Sequence, residues 1–236
     1  MNSEFIKKMV NNRQIDDNTY SILVTAWQDA RQLSGFDKEM GKQNLLLLNM
    51  NGDSILELGQ SFIGLINYLL ILDMLGSIFK KTGSNGKGNP DSNNIFYVLG
   101  EFTGLIDKDR CAIKALRNCL AHNYSLLSIP QWKDENHKKH GKNNIKTNAK
   151  LEANELHAFS ICWTKQPSLI KYPDNADRLT RSNPFNKKEH FTEICAESLR
   201  DLVEDVFQQI KKGVNEDKVE SYIGEDDIKS RFTYSH

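Results

Sequence analysis

The stretch LGQSFIGLINYLLIL, from Leu58 to Leu72, decides the fold. Its 15 residues include no charge and are rich in Leu and Ile. A membrane-spanning helix needs roughly 18–20 apolar residues, so this run is too short. Glu57 bounds it on one side and Asp73 on the other, and Gln60 and Asn67 interrupt it. The expected structure is the central helix of a helical bundle that does not enter a membrane.

Helix signals extend outward from it on both sides. Ser54, with Glu57 three residues on, reads as a capping box for this helix, which is expected to run to Lys80 and Lys81 and stop at Gly83. Upstream, Asp17 reads as the cap of a helix with apolar positions Leu23, Ala26, Trp27, Ala30 and Leu33, ended by Gly35. Downstream, Gly83 to Asn94 is a loop of Gly, Asn and Ser. Its Gly86-Lys87 is no phosphate loop, because the upstream glycine is missing and Gly88 replaces the Ser/Thr. A short helix is expected over Asn94–Phe102, another from Asp107 through Leu120, and a long one from Lys188 to Lys212, closed by Gly213. The tail should hold one more short amphipathic helix and then fray.

Ser125 to Lys187 differs in kind. Four of the five prolines lie there: Pro130, Pro167, Pro173 and Pro184. A structureless loop of that length within a domain is improbable. Ala158–Thr164 alternates Phe159, Ile161 and Trp163 on one face, and Leu126–Ile129 and Leu169–Tyr172 are weaker strands. The expected fold class is therefore an all-α helical bundle, a single domain over 1–236, with a small β-containing insertion at 125–187.

The 236 residues carry 31 Lys plus Arg against 31 Asp plus Glu, so the formal net charge is zero. That excludes a uniformly basic nucleic-acid binder and leaves room for a local basic patch. Gln131–Lys150 holds six lysines and two acids, whereas Gly213–Lys229 holds six acids and two lysines. Cys111, Cys119, Cys162 and Cys195 form no C-x-x-C pair. They are expected as buried free thiols in a reducing compartment, and with no secretory signal at the N-terminus the expected location is cytoplasmic.

The string Leu116-Arg117-Asn118-Cys119-Leu120-Ala121-His122-Asn123-Tyr124 carries the chemistry. Arginine is a permanent forked cation suited to phosphate oxygens, and histidine moves a proton near neutral pH. Together they suffice in principle for RNA cleavage through the 2′-hydroxyl. On an ideal helix, positions 117 and 122 lie about 140° apart, so one helix alone does not bring them together. The pair works if His122 sits on a frayed end, or if two copies of the helix meet across a two-fold axis.

The same string, R-N-x-x-A-H-x-Y, resembles the R-x4–6-H motif of the HEPN superfamily (higher eukaryotes and prokaryotes nucleotide-binding domains). The resemblance covers about ten residues, with the helical pattern around them similar only loosely. It implies a helical bundle and a metal-independent endoribonuclease without cofactor, acting as a homodimer on RNA in a defence or toxin–antitoxin setting. By the resemblance Arg117 and His122 are catalytic, Asn118 orients them, and Tyr124 lines the site. In HepT-like toxins the matching tyrosine is modified by a nucleotidyltransferase antitoxin, which marks Tyr124 as a modification site and such an antitoxin as a partner. The basic insertion offers Lys138, Lys139 and Lys142 as substrate contacts. The competing reading is a HEPN module that binds nucleotide, RNA or protein without cleaving.

Each of these residues also has a plainer role. Arg117 fits a surface salt bridge, His122 a helix C-terminus and Tyr124 a packing position. His137 and His140 lack cysteine partners for a metal site. The lysine run fits a solvated loop, and Trp27, Trp132 and Trp163 fit core or anchor positions.

Overall fold

Serine side chains start the first three helices. In this computed structural model, Ser3 caps α1 (Glu4–Asn11), Ser21 caps α2 (Ile22–Leu33) and Ser61 caps α3 (Phe62–Ile78), each accepting a backbone N–H three residues on. The structure describes residues 3–34, 36–37, 42–43, 46–48, 54–57, 61–84, 94–123, 126–128, 132–133, 139–140, 157–172 and 192–235. Between α1 and α2 lies β1 (Thr19–Ser21), and between α2 and α3 lie β2 (Phe36–Asp37), β3 (Lys42–Gln43), β4 (Leu46–Leu48) and β5 (Ser54–Glu57). Then follow β6 (Phe79–Lys81), α4 (Asn94–Phe102), α5 (Asp107–Asn123), β7 (Leu127–Ser128), β8 (Trp132–Lys133), β9 (Lys139–His140), β10 (His157–Cys162), β11 (Ile170–Lys171) and β12 (Thr192–Cys195). The chain continues through α6 (Ala196–Asn215), β13 (Val219–Ser221), α7 (Glu225–Phe232) and β14 (Thr233–Ser235).

Helix α3 is the axis of the core. Leu65, Tyr68, Leu69, Ile71, Leu72, Leu75 and Ile78 are all buried, on more than one face. Such a helix needs neighbours on several sides, and α3 packs against α2, α4, α5 and α6. Burial of each large side chain contributes about 1.5–3 kcal/mol. Two glycines let backbones approach closely. A Cβ on Gly76 would sit 2.1 Å from the carbonyl oxygen of Asn94 on α4, and one on Gly64 would sit 2.9 Å from the backbone nitrogen of Ser34. Helix α6 contributes Leu199, Val203, Val206, Phe207, Ile210 and Val214 to the same core. Among the described residues, no helix is long and apolar enough to cross a membrane.

Four strands form one small sheet in the order β11-β12-β10-β7. Strand β10 runs parallel to β12 and antiparallel to β7, and β11 is antiparallel to β12. Phe159 from β10 and Ile194 from β12 turn into the core. The other pairs are β1-β14, β6-β13, β2-β3, β4-β5 and β8-β9. The described fold is thus mostly helical, compatible with the expected helical fold, with small sheets outside the expected insertion as well as within it.

Several expected boundaries move. Asp17 is exposed and caps nothing; Ser21 caps α2. Ser54–Glu57 is a strand paired with β4, not a capping box, and α3 begins after Ser61. Helix α3 stops at Ile78, where the chain enters β6 and pairs with β13. Gly83 does close a turn, at φ 77°. The long helix begins at Ala196, because Thr192–Cys195 is taken into the sheet, so the β-element draws a strand from beyond residue 187. Gly213 lies inside that helix rather than at its end. The tail does not fray: β14 pairs with β1, and Tyr234 stacks on Tyr20 at 5.3 Å. Helix α4 has the bounds expected for it. Gly35 lies outside the described residues.

Candidate functional site

Helix α5 carries the Arg117–His122 string. Ala112, Ile113, Leu116, Cys119 and Leu120 form its buried stripe, and Arg117 and Asn118 sit half-buried at the edge of that stripe. This is the i, i+3, i+4 pattern of a helix lying on a core. Asp73 and Asn118, among the described residues, hold the Arg117 guanidinium. Its Nη2 donates to Oδ2 of Asp73 on α3, and its Nη1 donates to Oδ1 of Asn118 at 3.1 Å. The Arg117 and Asp73 side chains keep 20% and 26% of their exposure. The ion pair therefore lies at the border of core and solvent, where water screens much of its attraction.

Helix α5 continues through His122 to Asn123. The frayed-end arrangement is therefore not the one adopted. Along this regular helix, positions 117 and 122 are separated by about 140° around the axis. A single copy of α5 does not gather the two residues on one face. Tyr124, Lys138, Lys142 and His137 lie outside the described residues. Lys139 and His140 are described only as backbone of β9, which pairs with β8.

The sheet stands beside this helix. Strands β7 and β10 both contact α5. The Tyr172 hydroxyl donates to Oδ1 of Asp109 at 2.8 Å, and the Lys108 ammonium lies 3.6 Å from the Tyr172 ring centroid. Burial, followed by the neighbouring Asp109 carboxylate, pushes the Tyr172 phenol well above its ordinary range. The base of the insertion is thereby tied to the first turn of the motif helix.

A second polar cluster lies deeper in the bundle. Glu204 on α6 is only 3% exposed. Its Oε1 accepts from Trp27 Nε1 at 3.0 Å and from the Tyr68 hydroxyl at 2.9 Å, with Arg31 Nε at 3.4 Å. The Arg31 guanidinium lies 4.6 Å from the Trp27 ring centroid, and Trp27 stacks on Phe207 at 4.7 Å. Burial and then the Glu204 charge hold the Tyr68 phenol far above its ordinary range. Beside the cluster is a cavity of ≈ 20 Å³, lined in part by Tyr68, Trp163, Ala196 and Arg200. That is room for about one water molecule. The geometry suits a structural tie among α2, α3 and α6 more than a substrate site. Trp27 is thus a core anchor, and Trp163 meets Phe62 edge to face at 4.9 Å.

The four cysteines are free, with Cys119 and Cys195 buried but Cys111 and Cys162 only half-buried, against the expectation of burial for all four. Among the described residues no group of three or more His, Cys, Asp or Glu could hold a metal ion.

The sequence alone does not single out two of these polar groups, Asp73 and Glu204. Asp73 was visible only as the charge that ends the apolar run; its position opposite Arg117 depends on how α3 and α5 pack. Glu204 sits beside Val203, Val206 and Phe207 in the helix stripe, and an acid at that inward register is the signal that it is paired inside. No protein-family model, no curated protein and no solved structure matches this chain.

Proposed function

We propose that the chain is a metal-independent endoribonuclease of HEPN type, acting as a homodimer whose two α5 helices meet around one RNA cleft. The observation that carries this reading is the guanidinium of Arg117, held by Asp73 and Asn118 on the helix that also carries His122. A cation positioned before substrate arrives stabilises charge at the reacting phosphate without reorganising. In the reaction, His122 takes the proton of the RNA 2′-hydroxyl, and the 2′-oxygen attacks the neighbouring phosphorus. Arg117 offsets charge on the five-coordinate phosphorus, the bond to the 5′-oxygen breaks, and the protonated His122 returns its proton to that oxygen. The products are a 2′,3′-cyclic phosphate and a 5′-hydroxyl. A second copy of α5 supplies the His122 that one copy cannot bring to its own Arg117. Lys138, Lys139 and Lys142 are assigned to RNA contact, and the setting to defence or a toxin–antitoxin pair. Tyr124 is assigned to the lining and to modification by a nucleotidyltransferase antitoxin.

One observation favours the second reading, a HEPN module that binds without cleaving. Arg117 is ion-paired within its own chain, which is also what a purely structural arginine does. Cleavage of diverse RNAs in EDTA separates the two. The nuclease reading expects wild-type cleavage, with His122→Ala and Arg117→Ala each lowering the rate about 10²–10³-fold. Asp73→Asn should also lower the rate while leaving the fold and dimer intact, as befits a positioning residue. Absence of wild-type cleavage, with Arg117→Ala altering only stability, would establish the binding module.

A further inference from the structure

We propose that Cys162 and Cys195 form a reactive dithiol, in which a hydroperoxide oxidises Cys162 and Cys195 resolves it to an intramolecular disulfide. The two residues are register partners at the ends of the parallel strands β10 and β12. Register partners on neighbouring strands put their side chains on the same face, with a strand spacing of about 4.8 Å. That lies within the Cα separation of about 4.4–6.8 Å that disulfides use. Their sulfurs also converge on one atom. The Cys162 thiol donates to the Thr164 carbonyl oxygen at 3.3 Å, and the Cys195 thiol donates to the same oxygen at 3.4 Å.

The surroundings divide the labour between the two sulfurs. Cys162 is half-exposed, and Gln166 Nε2 donates to its sulfur at 3.3 Å, with Thr164 Oγ1 at 3.5 Å. The Thr164 hydroxyl, and after it the Thr164 backbone and Gln166, hold the Cys162 thiol below its ordinary range. Cys195 is 1% exposed and serves as the N-cap of α6, accepting from Ser198 N at 3.5 Å and Ser198 Oγ at 3.1 Å. The first is the sulfur a small oxidant reaches, and the second is the resolving sulfur beside it. Cys111 and Cys119 lie on α5, outside this strand pair.

The chemistry balances in two steps. The Cys162 thiolate attacks the terminal oxygen of the hydroperoxide, an S–O bond forms, the O–O bond breaks, and the alcohol (water, from hydrogen peroxide) leaves with a proton. The Cys195 sulfur then attacks the Cys162 sulfur, an S–S bond forms, the S–O bond breaks, and water leaves with the Cys195 proton. The thiol pair loses two electrons and the hydroperoxide gains them. This proposal does not depend on the nuclease reading.

The experiment treats the fully reduced chain with hydrogen peroxide, with and without dimedone, and maps the peptides by mass spectrometry. The expected product is two hydrogens lighter and contains a Cys162–Cys195 linked peptide. Cys195→Ser, which keeps an oxygen at the N-cap, should accumulate a dimedone adduct on Cys162 several-fold above wild type. Cys162→Ser should give neither product. Equal dimedone labelling in wild type and Cys195→Ser, disulfides joining two chains through Cys162, or oxidation confined to Cys111 and Cys119 would each overturn the proposal.

Discussion

Asp217 shows how a single residue ends the longest helix of the described chain. It adopts φ 55°, the left-handed region that glycine usually occupies. Its N–H donates to the Val214 carbonyl at 3.3 Å, and the Lys218 N–H donates to the Gly213 carbonyl at 2.8 Å. These two bonds are the paired closure of a Schellman end. A β-branched residue tolerates this backbone poorly, so Asp217→Val should lower stability by about 1–2 kcal/mol. Asp217→Gly should leave it unchanged or raise it, despite losing the 3.5 Å ion pair with Lys7. Urea midpoints decide this: equal losses in both variants would locate the effect in the ion pair instead of the backbone. The sequence rule that a glycine follows a helix pointed to Gly213, four residues early. At Gly213 the missing Cβ serves packing, since it would sit 2.4 Å from Val219 Cγ2.

Elements were legible where their own side chains decided the outcome. Helices α4 and α5 follow from apolar spacing, and β10 from its alternation of Phe159 and Ile161. Elements decided by distant partners were misread. Thr192–Cys195 continues the apolar rhythm of α6, and its spacing suits a helix or a strand equally. It becomes a strand because β10 and β11 supply hydrogen bonds on both of its sides. The Ser54–Glu57 spacing likewise matched a capping box while β4 claimed the segment. The Arg117–Asp73 pair was hidden for the same reason, because its two residues lie 44 positions apart on separate helices. Close helix packing gives this scale its own prediction. Gly76→Ala should lower stability, read from urea unfolding, by about 1–3 kcal/mol or more, because Asn94 offers only backbone to move. Gly104→Ala, with nothing within 4 Å of the added carbon, is the control and should change little.

For the molecule as a whole, Glu204 on α6 joins two other helices, α2 and α3. One carboxylate oxygen holds Trp27 of α2 and Tyr68 of α3, with Arg31 at salt-bridge distance. Removing it leaves the Trp27 and Tyr68 donors without this acceptor, so Glu204→Leu should cost about 2–4 kcal/mol. Glu204→Gln retains a carbonyl acceptor and should cost less. Tryptophan fluorescence during urea unfolding follows both, and a loss below 1 kcal/mol for Glu204→Leu would refute the tie.

The pairing of β1 with β14 has a consequence for synthesis. Thr19 meets Ser235, and Tyr20 meets Tyr234. Contacts so far apart in the chain form late, because the loop between their ends must close first. Strand β1 is translated before β14, so its edge waits for this partner while everything between them is made. An edge strand without its partner is open to pairing with other chains. Until residue 235 has left the ribosome, the edge beginning at Thr19 lacks this partner, and a chaperone has reason to cover it.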